Sequence, residues 1–108
     1  MSEAELQVAI RLALGRDVTC AFWRNNVGVA TFKGQMVRYG LSNGSSDLIG
    51  VVDGRFCALE VKTDRGTLTS DQELFLSLVR AKGGFACVVR SVDDALSAVE
   101  RCKRGESQ

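Results

Sequence analysis

Two apolar runs separated by Asp53-Gly54 constrain this 108-residue chain more than any other feature. Leu48–Val52 is a continuous apolar run, and 56–61 is nearly so. Asp-Gly between two such runs is the strongest short-range signal for a β-hairpin. A two-residue turn sets Val52 against Arg55, then 51 against 56, 50 against 57, 49 against 58 and 48 against 59. The next pair outward is Asp47 with Glu60. Directly opposed residues share one face of a sheet, with Cβ atoms ~4.5–5.5 Å apart. Side chains alternate along a strand, so Lys62 shares the face of Glu60. Leu59 and Val61 beside them are apolar. This strand therefore reads as central and covered on both faces, where Glu and Lys are seldom placed without partners.

The other elements follow from periodicity and caps. Residues 2–14 read as a helix, with Ser2 and Glu5 at capping-box spacing and Leu6, Ile10, Ala13 and Leu14 on one face. Cys20–Arg24 and 27–32 read as strands, Lys33-Gly34 as a turn, and Gln35–Tyr39 as a returning strand. A loop rich in Gly, Ser and Asn fills 40–46, and a polar loop fills 63–69. Ser70 and Glu73 form a second capping box for a helix running to Lys82, with Leu74, Phe75, Leu78 and Val79 as its apolar face. Phe85–Val89 is an apolar strand. Ser91 caps a last helix over 92–102, with Ala95, Leu96 and Val99 inward. The expected organisation is one α/β domain over 1–104 around a mixed sheet flanked by helices, in the order αβββ(β)αβα, with 105–108 a frayed tail.

Composition narrows the chemistry. The chain has no histidine, which removes Ser-His-Asp and Cys-His catalysis, Cys2His2 zinc sites and nucleases with a His base. Fourteen Lys and Arg balance 13 Asp and Glu, so any basic surface is local. Cys20, Cys57, Cys87 and Cys102 are widely spaced and form no Cys-x-x-Cys pair, which argues for small apolar residues in a reducing compartment rather than a zinc cluster or redox motif. No signal peptide or membrane-spanning run is evident. The expected location is the cytoplasm.

What remains is the set Asp47, Glu60 and Lys62. Opposed carboxylates repel each other unless a cation sits between them, and Mg²⁺ favours oxygen ligands. Such an ion acidifies bound water and polarises a phosphoryl oxygen. The lysine is a point charge suited to developing negative charge or to orienting the attacking water. Metal-assisted hydrolysis of a phosphodiester uses all three without a histidine.

Gly44-Ser45-Ser46-Asp47-Leu48-Ile49-Gly50, Ala58-Leu59-Glu60-Val61-Lys62 and Gly66-Thr67-Leu68-Thr69-Ser70-Asp71-Gln72 together resemble the VRR-NUC family. That family belongs to the restriction-endonuclease-like superfamily of Asp…Glu-x-Lys nucleases. The resemblance spans about residues 3–92 and is to the stand-alone form of phages and prophages rather than the domain fused in Fanconi-associated nucleases. It implies the restriction-endonuclease-like sheet, Asp47 and Glu60 as metal ligands with the backbone carbonyl of Val61, Lys62 as the catalytic lysine, and Gln72 reaching the site from the helix after the motif. It also implies a glutamate from the first helix near the metal. Glu3 and Glu5 are the candidates. Glu3 lies closer to the direction of Leu6, Ile10 and Leu14, and Glu5 has its capping role with Ser2, so Glu3 is chosen, with Gln7 near the same face.

The resemblance further implies a Mg²⁺- or Mn²⁺-dependent DNA endonuclease, acting as a homodimer on branched DNA such as four-way junctions, in a bacterial or phage-infected cell. A nuclease of linear duplex or flaps, and a silent nucleic-acid-binding module, are the alternatives. Arg24-Asn25-Asn26 after Phe22-Trp23 resembles a recurring family segment. Arg24, Lys33, Arg38 and Arg65 are candidate DNA-binding residues, with Tyr39 and Arg80 further phosphate contacts; Trp23 reads as core, and Asn25 or Asn26 as a turn.

Overall fold

The Asp53-Gly54 turn forms with φ of 47° and 84°, the left-handed pair that a two-residue hairpin turn requires. It joins β4 (Leu48–Val52) to β5 (Arg55–Val61) in the anticipated register, from Val52↔Arg55 to Leu48↔Leu59. The computed structural model describes residues 1–108. In chain order, α1 (Glu3–Leu14), β1 (Cys20–Arg24), β2 (Gly28–Phe32) and β3 (Gln35–Tyr39) precede this hairpin, and α2 (Ser70–Ala81), β6 (Phe85–Val89) and α3 (Val92–Lys103) follow it. The order is thus αβββββαβα, one strand more than αβββ(β)αβα, because 35–39 is a full strand and the 48–61 hairpin supplies two more.

The main sheet has the order β1-β4-β5-β6, antiparallel except for the β5–β6 pair, which α2 connects. This is a mixed α/β sheet. α1 and α3 cover one face, where Leu6, Ile10, Leu14, Leu48, Leu59 and Phe85 anchor a core of 15 buried residues. α2 covers β5 and β6 on the other face, over a smaller core of Ala58, Leu76, Val79 and Ala86. Gly50 interrupts the apolar run of β4 because the Phe22 ring of β1 fills the space a side chain would need. Cys57, Cys87 and Cys102 are buried free thiols of the larger core, and burial pushes their pKa up, so they remain protonated and apolar. No helix is long and apolar enough to cross a membrane.

The first cap forms as expected: Ser2 Oγ accepts from the Glu5 N–H, and Glu5 Oε1 accepts from the Ser2 N–H. The second is shifted by one residue. Thr69, not Ser70, is the N-cap, and its capping-box partner is Gln72, not Glu73. The buried face also differs from the expected one: Leu76 and Val79 are buried with Phe75 partly so, while Leu74 and Leu78 face outward at 67% and 54% exposure, because β5 and β6 meet the helix on the 75/76/79 side. In α3, Ala95, Ala98, Val99 and Cys102 point inward and Leu96 does not. Trp23 is exposed rather than core, because it lies on the α2 face at β1, beyond the strands that α2 covers.

The C-terminal residues are tied down rather than free. The Ala86 N–H, on the outer edge of β6, donates to the Ser107 carbonyl at 3.0 Å. The Arg55 guanidinium donates to the carbonyls of Cys102, Glu106 and Gly83 at 2.8, 2.8 and 3.1 Å. β2 and β3 pair only with each other, through the Lys33-Gly34 turn at φ 49° and 77°, and form a separate ribbon.

The buried face of α2 is directly measurable. Leu76→Ala should cost ~2–5 kcal/mol in urea unfolding, as a buried Leu→Ala does. Leu78→Ala should stay within ~0.5 kcal/mol. The reverse ranking would contradict the packing of Leu76 and Val79 against β5 and β6.

Candidate active site

Backbone pairing between β4 and β5 stops at Leu48↔Leu59, and side chains continue it. Asp47 Oδ2 accepts the Val61 N–H at 2.9 Å, and Glu60 Oε2 accepts the Asp47 N–H at 3.3 Å. The two carboxylates therefore stand face to face where the hairpin register puts them. Glu60 is 2% exposed and Lys62 9%. Lys62 Nζ lies 3.9 Å from Glu60 Oε1, at the outer limit of an ion pair. The stem of Lys62 lies against Gly66, where an added Cβ would come within 3.2 Å of Lys62 Cδ.

Gln72 reaches Glu60 because it closes the cap of α2. Its Oε1 accepts the Thr69 N–H at 2.9 Å, so its amide nitrogen is the end that faces the site, and Nε2 donates to Glu60 Oε1 at 2.9 Å. The same side chain thus starts the helix and aligns the carboxylate.

Two supporting residues escaped the sequence reading. Asn25, expected at most to make a turn, holds the loop that carries Asp47. Its N–H donates to the Asp47 carbonyl at 2.8 Å, and its Nδ2 donates to Ser45 Oγ at 2.7 Å and to the Ser46 carbonyl at 3.0 Å. The signal lay in the pairing of β1 with β4: Arg24 opposes Leu48, so Asn25 follows beside Asp47. Arg90, just after β6, donates to the carbonyls of Thr63 and Gly66 at 2.7 and 2.8 Å and so clamps the loop that flanks Lys62. Gly44, at φ 76°, lets the same 40–46 loop press against the backbone of Asp71 in the first turn of α2. Ser46 is fully buried, and its hydroxyl has no hydrogen-bond partner.

None of the remaining candidates is hydrogen-bonded or ion-paired to Asp47, Glu60 or Lys62. Glu3 lines a hollow of about 380 Å³ with Gln7, Arg11 and Arg24, between α1 and the end of β1. It does not form a three-carboxylate cluster with Asp47 and Glu60, since no group of three metal-ligating side chains converges anywhere in the chain. α1 packs against the sheet face opposite Glu60, which is why the helical-wheel choice between Glu3 and Glu5 does not by itself deliver a ligand. Lys33 sits 5.5 Å over the Phe32 ring at the tip of the ribbon, and Arg38 is hydrogen-bonded to the Asn43 side chain. Arg65 is exposed in the turn beyond Lys62. Arg80 donates to the Ala86 carbonyl at 2.9 Å, a structural role that explains it without a phosphate.

The electrostatics follow from burial. Loss of water, then the negative charge of Asp47, push the Glu60 carboxyl up to about 8, with Lys62 opposing them and a direct contact with the Asp47 carboxyl adding to the rise. Two oxygen donors, with no sulfur or imidazole beside them, suit a hard divalent ion held by one or two carboxylates and completed by water and substrate oxygens. Asp47 and Glu60, facing each other across the end of the hairpin, are the groups that would hold such an ion. No protein-family model matches the chain, and no curated protein matches it significantly.

The raised carboxyl predicts a pH-dependent stability. Folded Glu60 keeps a proton that the unfolded chain releases above its ordinary range, so this stabilisation is complete below ~4.5 and lost as pH rises towards about 8. In EDTA, Tm should fall across that window. Glu60→Gln keeps the shape and the Gln72 contact but cannot titrate, so its Tm should be flatter. An equal slope in both proteins would assign the effect to another group.

Proposed function

We propose that this protein is a divalent-metal-dependent DNA endonuclease that hydrolyses phosphodiester bonds. The observation that carries the reading is the buried set of Asp47, Glu60 and Lys62 on one sheet face, with Glu60 aligned by Gln72. The motif order Asp47, Glu60-x-Lys62, Gln72 and its resemblance to VRR-NUC nucleases support the same assignment. Branched DNA and action as a homodimer are the finer reading. One 108-residue domain offers little surface to a branched duplex, and a two-fold dimer would set two sites on two strands.

Asp47 and Glu60, with the carbonyl of Val61, would hold Mg²⁺ or Mn²⁺. When bound, such an ion supplies an acidified water and polarises a phosphoryl oxygen. Asp47 keeps one carboxylate oxygen on the Val61 N–H, which fixes its direction without using its other oxygen. Gln72 does the same for Glu60. Lys62, held low between Gly66 and Glu60, offers its ammonium to the charge that grows on the phosphate oxygens. The apolar flanks of β5 keep water from screening that charge.

The test is incubation of the purified protein with labelled four-way junction, flap, linear duplex and single-stranded DNA, each in Mg²⁺, Mn²⁺ or EDTA. Cutting should require metal and be lost in Asp47→Ala. Lys62→Ala should reduce kcat by ~10²–10³-fold, the scale of one preorganised charge. Preference for the junction would support the finer reading, and preference for duplex or flap would replace it. Binding without cutting, equal in metal and EDTA, would favour a silent binding module.

A further inference from the structure

We infer that the β2–β3 ribbon is a DNA-engaging arm that enters a groove of the duplex presented to Asp47, Glu60 and Lys62; this rests on the nuclease reading. The ribbon has no core of its own. Both strands are exposed along their length apart from Gly28, and Phe32, Met36 and Tyr39 are 63%, 80% and 44% exposed. A two-stranded hairpin alone in water is marginal, and neither strand packs substantially on another element. Something outside the chain's own core must cover it.

Charge selects the occupant. From Val18 to Ser46 the chain carries three of its 14 Lys and Arg, Arg24, Lys33 and Arg38, and none of its 13 Asp and Glu. The whole chain is almost neutral, so this segment is set apart from the rest. A second copy meeting the same ribbon across a two-fold axis would bring cations against the same cations. A polyanion relieves that repulsion and releases its counterions.

Shape agrees. An antiparallel two-stranded ribbon fits the major groove of B-DNA. Strands of five residues extend ~17 Å, about half a helical turn of the duplex. The arm is rooted in the site at both ends. Asn25, three residues before β2, bonds the Asp47 carbonyl, and the loop after β3 runs directly into Asp47. Groove contacts made by Lys33 at the tip and Arg38 near the root, where it is hydrogen-bonded to Asn43, therefore hold the duplex in a set position relative to the carboxylates.

The experiment measures anisotropy of a labelled linear duplex and a four-way junction across a salt series in EDTA, where nothing is cut. Wild type is compared with Lys33→Gln/Arg38→Gln and with Phe32→Ser. Thermal melts confirm folding, and sedimentation gives the oligomeric state. The double variant should bind at least ~10-fold more weakly, with a salt slope shallower by ~1.8, about 0.9 for each phosphate no longer neutralised. Unchanged affinity and slope, in a protein whose wild type binds and cuts DNA, would overturn the arm and leave the nuclease standing. Unchanged DNA binding with a shift from dimer to monomer would make the ribbon a contact between copies instead. A wild type that neither binds nor cuts any DNA would overturn both.

Discussion

Keeping the Glu60 carboxylate out of water, opposite a second carboxylate, is the constraint around which the rest of the molecule is arranged. A buried carboxyl of this kind is tolerated only where its oxygens have partners. Here the partners come from several sides: the Asp47 N–H just before β4 and the Gln72 amide from α2 donate to it, and the Lys62 ammonium just after β5 stands 3.9 Å away as a charge. Asp47 in turn takes its donor from Val61. Three separate elements are thus committed to one pair of carboxyl groups.

The two cores serve that arrangement unequally. The larger one, under α1 and α3, anchors β4 and β5 and so holds the hairpin register. The smaller one, under α2, sets the distance between the helix start and Glu60. Beyond β6, Arg90 and the docked C-terminal residues secure the far side of the sheet. The ribbon stands apart from both cores, so its residues are free of the packing demands that shape the body.

How much of this could be read from the sequence depended on whether the signal was local. The Asp53-Gly54 turn and the apolar runs around it are local, and they placed Asp47 against Glu60 in the register observed. The Ser2–Glu5 cap was equally local. At 69–73 two overlapping cap patterns are present, Thr69 with Gln72 and Ser70 with Glu73, and their spacing alone does not choose between them; the first forms. Leu74, Phe75, Leu76, Leu78 and Val79 offer two overlapping apolar faces, and contact with β5 and β6 buries Leu76 and Val79 and leaves Leu74 and Leu78 outside. Asn25 and Arg90 act through partners 20 or more residues away, which no spacing rule reveals. The role of Glu3 depended on which face of the sheet α1 covers, a long-range fact, and Trp23 was misread for the same reason.

The double duty of Gln72 has a consequence for how the site fails. Its amide carbonyl closes the first turn of α2 while its amide nitrogen aligns Glu60. Helix ends open at far lower cost than whole domains. When that first turn frays, the cap and the alignment are lost in one event, with both cores still packed. The molecule can therefore pass through a state that is folded by every global measure yet has lost the alignment of Glu60. The alignment of Glu60 thus depends on one helical turn as well as on the stability of the fold.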